Sequence, residues 1–184
     1  ERIIIMVEKK LSSEEIFSGK VIRLTKDTVE LENGNTSFRE VVHHNGGAGI
    51  VALNSRGEVA LVRQYRYALG REMIEIPAGK IEPGEPPQET ARRELEEEAA
   101  CTADSIIEFG RVVPTPGYCT ETIYLYLATG LRETQQNLDE DEFVDIFWMP
   151  LEQAVSLVLE GEISDSKTVA GLMKAKLLQD AGKL

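Results

Sequence analysis

Cysteine and histidine are scarce in this sequence, which contains two of each among 184 residues. Cys101 and Cys119 are too few to build a disulfide framework, and their positions match no CxxC or zinc-ligand spacing. We therefore interpret both as reduced thiols and expect no zinc site.

Long apolar runs and an excess of positive charge are also missing. The run "IIIMV" near the N-terminus is far too short to span a bilayer and is followed by no signal-peptide cleavage pattern, so we expect a cytoplasmic protein. A net charge of −12 argues against nucleic acid or an anionic membrane as the partner, and an anionic small substrate would need local cations or metals. The length and the 42% apolar content suit one globular domain with a small appendage.

Glutamate, in contrast, is concentrated in "GKIEPGEPPQETARRELEEEAAC", residues 79–101. Good helix formers after a Pro-Pro start predict a helix over about 86–100. On that helix Glu94, Glu97 and Glu98 share one face, so three carboxylates converge on a small patch. The patch is either a solvated charged surface or a site for a divalent cation, which would offset the repulsion between the carboxylates.

The spacing of this segment favours the cation site. Gly79, five residues, Glu85, seven residues and the run 93–98 fit the Nudix box G-x5-E-x7-R-E-U-x-E-E-x-G-U, in which U is aliphatic. On this match the chain resembles a Nudix hydrolase. The box expects glycine and an aliphatic residue where Ala100 and Cys101 stand. Either the helix runs on, or alanine strains the cap by about 1 kcal/mol.

The remaining pattern predicts strands and helices on both sides of the box. Asn33-Gly34 is a preferred hairpin turn. Further strands and two C-terminal helices complete an α/β sandwich, and the resemblance implies the Nudix fold, α/β (α+β) with an α/β/α sandwich and a mixed sheet, for residues 45–184 and an added N-terminal β subdomain for residues 1–44. The predicted strands lie near 28–32, 36–42, 48–53, 58–65, 72–80, 105–113, 122–129 and 143–148, and the helices near 150–162 and 164–182.

The resemblance assigns roles to the box. It implies that Glu94, Glu97 and Glu98 bind the metal, helped by the backbone carbonyl of Ala78, and that Glu97 and Glu98 belong to the catalytic set. Hard carboxylate oxygens suit Mg2+ or Mn2+. The metal would neutralise phosphoryl oxygens and activate water for hydrolysis of a pyrophosphate bond.

Arginines are the candidate anion-binding groups. The resemblance implies that Arg93 pairs with Glu85 and holds the loop against the helix. Arg63 and Arg66 face opposite sides of their predicted strand, and we prefer Arg66 for a phosphate or ribose contact, with surface solubilisation as the alternative for Arg63. Arg39 either stacks on adenine from a neighbouring subunit or is a charged side chain at the rim of the site.

The substrate follows from a wider resemblance. Pro116, fifteen residues beyond Cys101, is similar to the marker of ADP-ribose pyrophosphatases, and "EIPAGKIE", "VRQYR" and "LDEDEF" agree with that subfamily. The resemblance implies hydrolysis of ADP-ribose to AMP and ribose 5-phosphate by a homodimer, with Glu75, Pro116 and Gly117 as substrate contacts. Pro116-Gly117 could also be an ordinary turn. The alternatives in function are a broader nucleoside diphosphate sugar pyrophosphatase, for example for a GDP-sugar, or a non-catalytic Nudix-like binding module.

The acidic run "LDEDEF" supplies the predicted general base. Such a run is usually a solvated turn. Glu142 stands where related pyrophosphatases carry a loop glutamate that activates water, so we assign it that role, with Glu140 as the second choice.

Overall fold

The computed structural model describes residues 7–138 and 143–184, which form two compact units. The first unit contains the chain up to residue 45 together with residues 115–121, and the second contains residues 46–114 and 122–184. In both described ranges, no helix is long and apolar enough to cross a bilayer. The cytoplasmic location stays a prediction.

An antiparallel sheet of three strands forms the core of the first unit. The strands are β1 Lys9–Ser18, β2 Arg23–Glu30 and β3 Thr36–His43, and their order in the sheet is β1-β2-β3. The predicted hairpin is present, with Gly34 at φ 81° and Asn33 Oδ1 accepting a hydrogen bond from the Asn35 backbone N–H at 3.0 Å. Every residue of β1 is exposed, which explains why the sequence shows no buried alternation there.

The segment 115–121 joins this unit through main-chain hydrogen bonds. The Val42 N–H donates to the Tyr118 carbonyl at 2.7 Å, and the Thr120 N–H donates to the Val42 carbonyl at 2.9 Å. This pairing spans more than seventy residues of chain, so the local pattern of the sequence did not predict it.

Among its described residues, the second unit has two sheets and three α-helices. The elements are β4 Gly47–Ala52, β5 Glu58–Arg66, β6 Arg71–Glu75, β7 Ala78–Lys80, α1 Pro87–Glu97, β8 Cys101–Val112, β9 Ile123–Glu133, β10 Val144–Pro150, α2 Leu151–Glu160 and α3 Ser166–Asp180. A mixed sheet has the order β7-β4-β9-β8, with β4 and β9 parallel, and an antiparallel sheet has the order β10-β5-β6. A short 3-10 helix, Tyr67–Leu69, follows β5.

The mixed sheet buries both of its faces. Successive residues of β4 point to opposite sides, so Ile50 packs in a cluster with Leu95 of α1 while Val51 packs in another with Leu172 of α3. The predicted α/β/α sandwich is therefore confirmed.

Several predicted boundaries were wrong, and β1 was not among the predicted strands. β2 begins at Arg23 and not near residue 28, and β8 begins at Cys101 and not near residue 105. The single strand predicted over 72–80 is divided into β6 and β7, and the break contains Pro77, which cannot donate to a strand ladder. The box helix ends at Glu97 instead of Ala100. Ala100 itself has φ 50°, so the strained cap is the alternative that the chain adopts.

Candidate active site

The loop that enters the box helix approaches that helix very closely. A Cβ added at Gly79 would lie 1.6 Å from Glu94 Oε1, so only glycine leaves the Glu94 carboxylate in place. The loop is held on its other side by β4, which pairs Gly49 with Ala78 and Ala48 with Gly79. The glycine of the box therefore makes room for a buried carboxylate.

Arg93 is the centre of the carboxylate cluster. Its Nη1 donates to Glu94 Oε1 at 2.6 Å and to Glu97 Oε2 at 2.8 Å, and its Nε donates to Glu85 Oε1 at 3.3 Å. The predicted pair with Glu85 is confirmed, whereas the bonds to Glu94 and Glu97 were not predicted. Burial opposes the charge of Arg93, but the hydrogen bonds with Glu85 and the neighbouring glutamates raise its pKa.

Glu98 lies at the end of the same helix and is almost fully buried, with 3% of its surface exposed. Its Oε2 accepts a hydrogen bond from the Ala78 backbone N–H at 2.9 Å. This bond ties the end of the helix to the loop that precedes Gly79.

The donor set of this cluster fits a hard divalent cation. Oxygens of Glu94 and Glu97 already meet on one positively charged nitrogen, and carboxylate oxygens are the ligands that Mg2+ and Mn2+ prefer. Within residues 7–138 and 143–184, however, no three His, Cys, Asp or Glu side chains form a ready-made metal site. Arg93 holds two of the predicted ligands, so a metal bound there would replace its contacts.

The C-terminal end of α1 is capped by the segment after β9. The backbone N–H groups of Thr134 and Asn137 donate to the carbonyls of Ala100 and Glu97 at 2.7 and 3.3 Å. The Gln136 side chain donates to the Glu98 carbonyl at 3.0 Å. These bonds satisfy carbonyls that the helix leaves unpaired, although no glycine cap is present.

Arg66 is oriented by a buried carboxylate. Its Nε and Nη2 donate to Glu75 Oε1 and Oε2 at 2.7 and 2.6 Å, a bidentate pair in which Glu75 is only 2% exposed. The hydrogen bonds with Glu75 raise the pKa of Arg66, and the charges of Asp165 and Glu98 act in the same direction. Arg63 lies elsewhere, 5.6 Å from the centre of the Phe147 ring.

Glu75 also accepts a hydrogen bond from Lys167, which is 92 residues away in the chain. Burial alone would raise the pKa of Glu75, but the hydrogen bonds and charges of Arg66 and Lys167 lower it below the usual value. Sequence reasoning missed Lys167. The local signal in "SDSKT" was an N-cap, which predicts a helix start and not a contact with β6.

The other predicted site residues lie in the first unit or outside the described residues. The Arg39 guanidinium donates to Glu8 through Nε at 2.8 Å and to the Phe38 carbonyl through Nη1 at 2.7 Å. Pro116 and Gly117 belong to the segment that joins the first unit. Glu142 and Glu140 fall outside the described residues.

Comparison with known proteins identifies the family of this chain. Residues 43–172 match the NUDIX domain, and residues 8–42 match the nucleoside diphosphate sugar hydrolase N-terminal domain. The chain belongs to the Nudix family. The expected Nudix hydrolase is thus confirmed, and such hydrolases typically need divalent metal ions.

Individual relatives match along most of their length. The chain is 43% identical to the methanol dehydrogenase activator of Bacillus methanolicus and 42% identical to the ADP-ribose pyrophosphatase of Bacillus subtilis, in each case over 92% of this chain and 93% of the relative. A crystal structure described as an ADP compounds hydrolase matches with a TM-score of 0.82 at 20% identity, over 96% of this chain and 97% of that one. The last match shows the fold alone.

Proposed function

We propose that this Nudix hydrolase cleaves the pyrophosphate bond of ADP-ribose to give AMP and ribose 5-phosphate, with Mg2+ or Mn2+ as the metal. The observation that carries the proposal is the meeting of Glu94 and Glu97 on one cationic nitrogen, beside the buried Glu98. The likeness to the ADP-ribose pyrophosphatase of Bacillus subtilis supports this substrate.

The carboxylates of the box and the Ala78 carbonyl would hold the metal. When bound, Mg2+ would neutralise charge on the phosphoryl oxygens and lower the pKa of water. The contribution of the chain is to keep Glu94 next to Gly79 and Glu98 on the Ala78 N–H, so that these two carboxylates stay beside the loop where the metal would bind.

Arg66 is the group that would bind a phosphate oxygen of the substrate. Its side chain is 42% exposed, and Glu75 takes only its Nε and Nη2. Among the described residues its Nη1 has no hydrogen-bond partner. A guanidinium fixed on one edge and open on the other suits a charge-assisted hydrogen bond to a diphosphate.

The first unit would supply the adenosine contacts in a homodimer. Phe38 is 61% exposed with Lys26 Nζ 4.6 Å from its ring centre, and Leu11, Ile16 and Phe17 of β1 are exposed as well. A three-stranded sheet with so much uncovered apolar surface would be stabilised by a second copy. In that dimer Arg39 and Phe38 would face the partner's adenosine, with Pro116 and Gly117 as further substrate contacts. Sedimentation showing only monomer at micromolar concentration, with full activity, would refute the dimer.

A panel of diphosphates tests the substrate. Purified protein is incubated with ADP-ribose, ADP-glucose or a GDP-sugar in the presence of Mg2+ or Mn2+, and the products are separated by anion-exchange chromatography. We expect AMP from ADP-ribose with the highest kcat/KM. Preferred cleavage of the GDP-sugar would favour the broader pyrophosphatase, and binding of ADP-ribose without product would favour the non-catalytic module.

A further inference from the structure

The first turn of α3 carries a buried lysine that the proposed chemistry does not use. Lys167 has 8% of its side chain exposed. Its Nζ donates to Glu75 Oε2 and, at 3.0 Å, to Asp165 Oδ2. A buried ammonium is costly unless it is paired, so its place beside Glu75 needs an explanation.

A second link between the same two segments lies next to the first. The Thr168 hydroxyl accepts a hydrogen bond from the Ile76 backbone N–H at 2.9 Å and donates to Asp165 Oδ2 at 2.6 Å. Two adjacent residues of α3 therefore hold two adjacent residues at the end of β6. Asp165, the N-cap of α3, joins both links.

This double link fixes the carboxylate that orients Arg66. Glu75 Oε2 accepts from Arg66 Nη2 and from Lys167 Nζ, so the two cations hold one oxygen from two directions. Without Lys167, Glu75 would be tied through Arg66 alone, and the pair could rotate together toward solvent. With Lys167 in place, the Glu75 carboxylate is held fixed, and its position sets the orientation of the Arg66 guanidinium.

We propose that Lys167 is a positioning residue for substrate binding, which acts through Glu75 to hold Arg66 with its Nη1 directed to the diphosphate. The kinetic part of this inference rests on the proposed function. A purely structural lysine would instead hold α3 against β6 without any effect on Arg66.

Matched substitutions on one helix separate the two roles. Lys167→Met removes the ammonium and keeps the length and apolar stem of the side chain. Lys176→Met is the control, because Lys176 lies on α3 as well and pairs with Glu152 and Asp180, away from Glu75. We expect Lys167→Met to raise KM for ADP-ribose about ten-fold with kcat changed about two-fold at most, and Lys176→Met to leave both constants near wild type.

A double-mutant cycle shows whether Lys167 acts through Arg66. In the Arg66→Ala background, Lys167→Met should cause no further rise in KM, because the group that it positions is gone. An equal rise in KM in both backgrounds would overturn the proposal, as would a lowered melting temperature with unchanged KM.

A measurement without substrate keeps this inference separate from the proposed function. In the wild type, the Hε proton of Arg66 is held by Glu75, so its signal in a 1H–15N spectrum should exchange slowly with water, and in Lys167→Met it should exchange at least several-fold faster. An unchanged exchange rate would contradict the proposal. If Lys167→Met does not fold, the same spectrum is recorded for Lys167→Gln, which removes the ammonium but keeps a polar side chain in the buried site, and the same faster exchange is expected. Inactivity of the wild type on ADP-ribose would count against the proposed function only.

Discussion

Gly79 and Glu94 are in contact so close that residue 79 has no space for a side chain: its Cβ would lie 1.6 Å from Glu94 Oε1 and 2.1 Å from Glu94 Cδ. The obstructing atoms are the end of a flexible side chain, so Gly79→Ala should displace the carboxylate and leave the backbone in place. We expect stability to change by about 1 kcal/mol or less and kcat to fall at least about 100-fold, because one predicted metal ligand is lost. Thermal unfolding and steady-state kinetics measure the two effects.

The Glu94→Ala background provides the control for that variant. With the carboxylate removed, the three atoms nearest to the added methyl group are gone, so Gly79→Ala should have no further effect on kcat. A further large loss would show that Gly79 acts through something other than Glu94.

Metal dependence is predicted from the carboxylates of α1 and its C-terminal end. Glu98→Gln keeps an oxygen that can accept the Ala78 N–H but removes a ligand charge, so turnover should fall by orders of magnitude while the melting temperature stays nearly constant. Glu96 is exposed on α1, and Glu96→Gln is the matched control that should remain near wild type. Excess EDTA should abolish activity, and Mg2+ or Mn2+ should restore it. Full activity in EDTA would contradict the metal assignment.

The helix end offers a prediction on stability alone. Ala100 has φ 50°, a conformation that costs an L-residue about 1 kcal/mol and glycine almost nothing. Ala100→Gly should therefore stabilise the protein by up to about 1 kcal/mol, offset in part by the greater freedom of glycine in the unfolded chain. Ala99→Gly, at a buried neighbour, should instead lower the melting temperature. A lower melting temperature for Ala100→Gly would show that the cap is not strained.

Local features of the sequence were predicted well because their causes are local. The box spacing, the Asn33-Gly34 hairpin and the pair between Glu85 and Arg93 depend on residues close in the chain or on a fixed motif. The strand boundaries at Pro77 could have been placed better from the same kind of signal, since proline lacks an N–H.

Contacts between distant segments were not predictable in this way. Lys167 contacts Glu75, which is 92 residues away in the chain, and Val42 pairs with the segment 115–121. In both cases the residues around one partner show no local pattern that predicts the other partner. Arg93 was assigned to Glu85 alone, and only the folded helix shows that the same guanidinium also reaches Glu94 and Glu97. The orientation of Arg66 depends on these distant contacts, so a single sequence could suggest the residue but not its support.

The charge of Glu75 predicts a pH dependence of stability. Its pKa is lowered below the usual value of 4.5 in the folded state, so its contribution is fully present above pH 4.5 and is lost as the pH falls through the folded pKa. Glu75→Gln should cost about 3 kcal/mol at pH 7, since the partly buried Arg66 loses its carboxylate partner and Lys167 keeps only Asp165. The difference in melting temperature between wild type and variant should be constant above pH 5 and should narrow below pH 4.5. A difference in melting temperature that grows as the pH falls would contradict the direction of this pKa shift.

Glu142 is the predicted general base. The box glutamates are poor candidates, because coordination of a metal would occupy their lone pairs. A carboxylate near cations, in contrast, keeps its charge and can accept a proton near neutral pH. Glu142→Gln should lower kcat by roughly 100- to 10,000-fold with little change in KM or in the metal concentration for half-maximal activity, and Glu140→Gln should stay near wild type.

Hydrolysis in 18O-labelled water should place the label in one product, which we expect to be AMP. If Glu140→Gln is the damaging change, the base lies two residues earlier in "LDEDEF". If neither substitution lowers kcat, the proton is accepted by a carboxylate within the box, and the role assigned to Glu142 is wrong.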